Sequence, residues 1–110
     1  MYQMQNNKNE CIYSDLENPS ICIPRVFNTI NVSSISNIFQ NKLNLGKIKK
    51  IDMIKTSDPK FKKVFIHFHL WNDNDNTQSI KKKILEGTVV KIVYDYPWFW
   101  KCSLSKSISN

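Results

Sequence analysis

Apolar positions in this chain recur with two periods. Between Lys63 and Trp71 the sequence KVFIHFHLW alternates with the period of two expected of a β-strand, and no Gly or Pro interrupts it. Val64, Ile66, Phe68 and Leu70 fall on one face, which reads as a core face. Lys63, Phe65, His67, His69 and Trp71 fall on the other, an unusual set to leave toward solvent. Upstream, NVSSISNIFQNKLNLG places Val32, Ile35, Ile38, Phe39 and Leu43 at helical spacing, with Asn31 as N-cap and Gly46 as the stop or the turn after it. Downstream, TQSIKKKILEG places Ile80, Ile84 and Leu85 on one helical face and ends at Gly87.

Three further segments read as strands. SICIPRV, Ser20 to Val26, is short and apolar, and Pro24 marks an edge or a strand end. KIKKIDMI runs from Lys47 to Ile54, and TVVKIVYDY is rich in β-branched residues. SDPK at Ser57 to Lys60 carries turn chemistry, and NDNDN is a polar loop. PWFWKCS is an aromatic extension. Residues 1–18 are expected to be a flexible tail, although Ile12, Tyr13 and Leu16 are able to dock, and residues 103–110 a polar tail, leaving one domain over residues 19–102. The order β-α-β-β-α-β predicts an α/β (α+β) sandwich of the ferredoxin-like type: a four-stranded antiparallel sheet, two helices on one face, and a C-terminal aromatic extension. The first and third strands then lie in the centre, and the face bearing Phe65 is open.

Composition changes this picture only modestly. A chain of 110 residues with 41% hydrophobic content suits one folded domain. The formal net charge of +7 suggests an acidic partner, nucleic acid or an anionic surface. Fifteen of the sixteen basic residues are Lys and only Arg25 is Arg, a bias that an AT-rich coding sequence also supplies. No apolar run is long enough to span a membrane, and MYQMQNNKNE has no apolar signal core. Cys11, Cys22 and Cys102 are odd in number and widely spaced, so a reducing intracellular setting is expected, without a disulfide framework or a zinc pattern. No cofactor is implied. With only Gly46 and Gly87 there is no Gly-rich phosphate loop, and no Ser or Cys is tied to a His by a motif, so an enzyme is not expected.

From Pro19 to Asp95 the pattern resembles an RNA recognition motif domain. FKKVFIHF, Phe61 to Phe68, sits in the register of that family's third-strand pattern K/R-G-F/Y-G/A-F-V-x-F/Y. LGKIKKIDMI is similar to the Gly-containing stretch that follows the family's first helix, and ILEGTVVKIVY to its second helix end and last strand. The resemblance implies single-stranded RNA bound on the open face, with Phe65 stacking on a base. Lys63 and Cys22 stand where two further stacking aromatics are usual, and Lys62 replaces the Gly. The compositional bias, with IPRVFNTI and YPWFWK, is also similar to uncharacterised proteins of this type in large DNA viruses, which implies host cytoplasm or virion as the setting.

Each candidate residue has two readings. Phe65 is a stacking platform, or it lies under a C-terminal segment. Lys63, Lys91 and Arg25 surround Phe65 and neutralise phosphates, or they are solvated cations of a Lys-rich chain. Lys91 is expected to point outward, because Val90 and Ile92 take the inward parity. His67 touches bases by hydrogen bonding or partial stacking; a metal held by His67, His69 and Cys22 lacks a fourth ligand. Trp98, Phe99 and Trp100 cannot all face one core, so this cluster, together with Trp71, supplies missing stacking aromatics or a protein interface. Single-stranded RNA is the expected partner. DNA, a protein partner or self-association are the alternatives.

Overall fold

In the computed structural model, residues 17–105 are described. Seven regular segments follow one another: β1 (Ile21–Phe27), α1 (Val32–Ser36) running on into a π-helical turn (Asn37–Lys42), β2 (Gly46–Lys55), β3 (Phe61–Trp71), α2 (Asp75–Leu85), β4 (Val90–Asp95) and β5 (Trp98–Leu104). Asparagine side chains start both helices. Asn31 Oδ1 accepts from Ser34 N–H at 2.9 Å and Asn74 Oδ1 from Thr77 N–H at 2.8 Å. Each pairs a backbone donor that the first helical turn would otherwise leave free. Gly87, at φ 88°, ends α2 in the left-handed conformation that suits glycine.

The strands form one sheet in the order β2-β3-β1-β5-β4, every neighbouring pair antiparallel. The fold is therefore α+β, with a five-stranded antiparallel sheet and two helices. Directly paired residues share a face. Ile21 and Ile23 of β1, Val64 and Ile66 of β3, and Trp100 and Cys102 of β5 are buried on the inner face with Ile35 and Phe39 of the first helical segment. Ile80 of α2 packs against the same cluster.

Two sequence expectations are corrected here. TVVKIVYDY does not pair with β1. Its residues from Val90 form β4, the outer edge, and the supposed extension forms β5, inserted between β4 and β1. The expected four strands are thus five, and the segment read as a polar tail begins with Ser103 and Leu104 inside β5. The physical reason is Trp100. By the alternation of β5 it reaches the inner face, where its ring stacks 4.2 Å from Tyr94 and 6.0 Å from Phe39. Burying so large a ring outweighs what β4 offers at that position. The remainder of both expected tails, residues 1–16 and 106–110, lies outside the described residues.

The second correction concerns Trp71. Near the end of β3 the register against β2 shifts, from Ile48↔Phe68 to Lys47↔Leu70. A one-residue shift exchanges the faces beyond it. Leu70 is 58% exposed, whereas Trp71 is 5% exposed, tilts against Phe68 at 4.8 Å and donates from Nε1 to Pro19 C=O. Gly46 makes this end possible. A Cβ there would meet Leu70 O and lie 2.8 Å from Trp71 Cα.

Gly46→Ala should therefore lower unfolding stability by about 2 kcal/mol or more, read by urea denaturation. Trp100 Nε1 has no hydrogen-bond partner among the described residues. Trp100→Ala should cost about 3–5 kcal/mol, while Trp100→Phe should cost far less, because it removes an unpaired donor while keeping a ring in the stack.

Candidate nucleic-acid interface

The same pairing that buries Ile66 and Trp100 fixes what the opposite face carries. Phe65 sits between Cys22 of β1 and Asp52 of β2. Phe61 is paired with Phe27, Phe99 with Val93, and Lys101 with Lys91. The open face thus alternates rings and cations from β3 across to β4. Lys63 Nζ lies 6.0 Å from the Phe65 ring centre, Arg25 Cζ 4.7 Å from that of Phe61, and Lys91 Nζ 5.0 Å from that of Phe99. At these distances the positive charge interacts with the ring faces.

Of the residues singled out from the sequence, Phe65, Lys63, Cys22 and His67 come together at the centre of this face. Arg25 and Lys91 share the face but attend Phe61 and Phe99, so they do not surround Phe65. Trp98 and Phe99 are 54% and 42% exposed, whereas Trp71 and Trp100 are core residues, 5% and 2% exposed, and Trp100 reaches only the floor of a cleft described below. Three contributors went unnoticed in the sequence: Phe27, Phe61 and Lys101. Phe61 was legible, since it shares the odd parity of Phe65 along β3. Phe27 was hidden by Pro24, which invites the reading that β1 stops early.

Pro24 does disturb β1, in a way that shapes the surface. It has no N–H to donate, and the β1–β3 register shifts between Ile23 and Val26. On the other side, β1 pairs with β5 only at Ile21↔Leu104 and Cys22↔Ser103. Beyond those pairs the two strands part, and a cleft of about 300 Å³ opens between them, lined by Arg25, Phe27, Phe61, Trp98, Phe99 and Lys101 among others. Phe27 stacks on Phe61 at 5.2 Å and meets Trp98 edge-on at 5.7 Å.

His67 is held on both sides. Nδ1 lies 2.9 Å from Ser20 Oγ and Nε2 3.0 Å from Asp52 Oδ2. Lys50 Nζ is 3.7 Å from the other oxygen of Asp52. Both ring nitrogens are thus engaged within the chain, so only the ring face of His67 is available to a base. Ser, His and Asp in line suggest nucleophilic chemistry, but Ser20 is 6% exposed and the carboxylate is the open end. The line clamps the segment before β1 onto β3. Among the described residues, no three of His, Cys, Asp and Glu are grouped to hold a metal ion.

Comparison with protein-family models, curated proteins and solved structures found no match for this chain. Among the described residues no helix is long and apolar enough to cross a membrane.

The two described cysteines differ in chemistry. Burial pushes the Cys22 thiol up, opposed in part by the charge of Lys63. Burial pushes Cys102 up to about 12, with Cys22 adding to it. Thiolate is the reactive form. In a Cys11→Ser background at mild alkaline pH, maleimide should therefore label Cys22 slowly and leave Cys102 unlabelled until the protein unfolds. Lys63→Ala should slow Cys22 labelling further, since it removes the charge that favours the thiolate. Mass spectrometry of timed samples reads both outcomes.

Proposed function

We propose that this protein is an RNA recognition motif-type domain that binds single-stranded RNA across its open sheet face, with β5 in the place of the family's fourth strand and β4 as an added edge. The observation that carries the reading is the repeated pairing of a ring with a cation on that face: Lys63 with Phe65, Arg25 with Phe61, Lys91 with Phe99. Single-stranded nucleic acid presents flat bases and phosphates in alternation, and both are matched by this arrangement. The direct opposition of Lys91 and Lys101 on β4 and β5 points the same way. Like charges facing each other across two strands are destabilising alone and are relieved by an anion between them. The carboxylate of this face, Asp52, lies on the β2 side beside Lys50, away from the rings of β1 and β5.

Fluorescence anisotropy with mixed-sequence oligomers tests the reading. RNA should bind at low salt and bind more tightly than DNA of the same sequence. Phe65→Ala should weaken binding by the loss of one stacked base, about 1–3 kcal/mol. Lys101→Gln should instead lower the slope of log affinity against log salt by about 0.7, the value for one phosphate contact on a single strand. Absence of binding at low salt removes the proposal.

A second reading is favoured by one observation. Val93, Tyr96, Trp98 and Phe99 gather exposed apolar surface at the β4–β5 end. A self-association surface there would make the protein dimerise in a manner that salt barely changes. Sedimentation velocity at low and high salt separates this from phosphate binding, which falls steeply as salt rises.

A further inference from the structure

The cleft between β1 and β5 is built differently from the flat centre of the sheet. Phe65 offers one ring face to whatever lies above it. The cleft is lined by rings: Phe27 stacks on Phe61 and meets Trp98 edge-on, Tyr94 and Trp100 line it as well, and Arg25 and Lys101 add two cations. It exists because Pro24 and the irregular register after Ile23 part β1 from β5. We propose that this cleft is a specificity subsite that takes a single unpaired guanine base from the RNA strand, lodged against its rings. The proposal rests on the RNA-binding reading above and deepens it.

Size, polarity and charge select the occupant. About 300 Å³ is at the small end of ligand pockets, enough for one flat ring system with part of its sugar and too little for two stacked nucleotides. The walls are rings, which favour a flat aromatic guest. Both charged residues lining the cleft are cations, so a cationic guest such as a methylated lysine is repelled, although rings alone would suit it. A base that brings a phosphate with it satisfies both features. Arg25 then chooses among bases. Its guanidinium, 4.7 Å from the Phe61 ring centre, presents a donor fork beside a stacking plane. Guanine offers two adjacent acceptors, O6 and N7, matched to that fork, whereas adenine places a donor at one of the two positions.

The spacing to the central platform fits a continuous strand. Phe61 and Phe65 lie on one face of β3, four residues apart, so about 13 Å separates them at the strand rise of ~3.3 Å per residue. A single strand of a few nucleotides spans that distance, with one base on Phe65 and a later or earlier one in the cleft. Lys63 lies between the two platforms on the same strand face and is placed for an intervening phosphate.

Trp98 provides a direct readout. The chain has three tryptophans; Trp98 is the exposed one, and it lines the cleft together with the buried Trp100, whereas Trp71 does not. The experiment compares a short oligouridine with the same oligomer carrying one central guanosine, and with one carrying adenosine in its place. The guanosine oligomer should bind about tenfold tighter than oligouridine and quench tryptophan emission, and the adenosine oligomer should fall between. Trp98→Ala and Arg25→Gln, both at exposed positions, should each abolish the preference, so that the guanosine oligomer and oligouridine bind the variant equally, whatever general RNA affinity the variant keeps. Thermal melts confirm that both variants are folded. Equal binding of all three oligomers by the wild-type protein overturns the guanine subsite and leaves the RNA-binding reading standing. A guanosine preference that survives both substitutions also overturns it, since the preference then lies elsewhere. Failure of every oligomer to bind at low salt brings down both readings together.

Discussion

The stack of Tyr94, Trp100 and Phe39 holds this structure in register. It joins β4, β5 and the first helical segment through one ring that is 2% exposed. Because strand neighbours alternate, committing Trp100 to the inside commits Phe99 and Lys101 to the outside. The same commitment places Ile92 of β4 inward opposite Trp100, and Val93 and Lys91 outward. The composition of the open face thus follows from a packing decision on the other side of the sheet. Loss of the stack would not only cost core burial; it would also free β5 to slide by one residue and exchange its two faces.

Rigidity at the centre of the sheet contrasts with openness at one end. Around Phe65, β3 is paired with β1 on one side and β2 on the other, and His67 is fixed by Ser20 and Asp52. Around Phe61, Pro24 deprives β1 of a donor and the neighbour β5 has already turned away. The rings of Phe27, Phe61 and Trp98 take over the cohesion that backbone hydrogen bonds provide elsewhere. Such a region is held by side chains and is correspondingly easier to pry apart by a guest that supplies its own ring.

The elements of the inner face were legible because each obeys a simple period. Ile35, Ile38 and Phe39 are buried as their helical spacing predicts, and Val64, Ile66 and Phe68 as their alternation predicts. The N-caps Asn31 and Asn74 differ in legibility: the first precedes a clear periodic run, and the second is lost in the repetitive loop NDNDN. What was not legible depends on choices between segments. WFWKCSL and TVVKIVYDY are both acceptable strands, and which of them neighbours β1 is settled by competition for one buried position. The face of Trp71 depended on a register shift that involves Lys47 and Ile48 of β2, a strand distant in sequence. On the open face, Phe65 and Lys63 were legible by parity alone. Arg25 was assigned to the wrong ring because its placement depends on the irregularity after Ile23.

Among the described residues the strand order leaves β2 and β4 as the two rims of the sheet, each with backbone groups that no neighbouring strand takes up. The two rims are defended unequally. β2 carries Lys47, Lys49, Lys50 and Lys55 against one acidic residue, Asp52, and this excess of positive charge along a rim repels an approaching copy. β4 carries one lysine, Lys91, and one acidic residue, Asp95, beside Val89 and Val93, which are more than half exposed. Short length is its main protection, at six residues against ten for β2. Under crowding or partial unfolding, intermolecular strand addition therefore begins at the β4 rim, and a single added lysine there would protect the protein more than any change along β2.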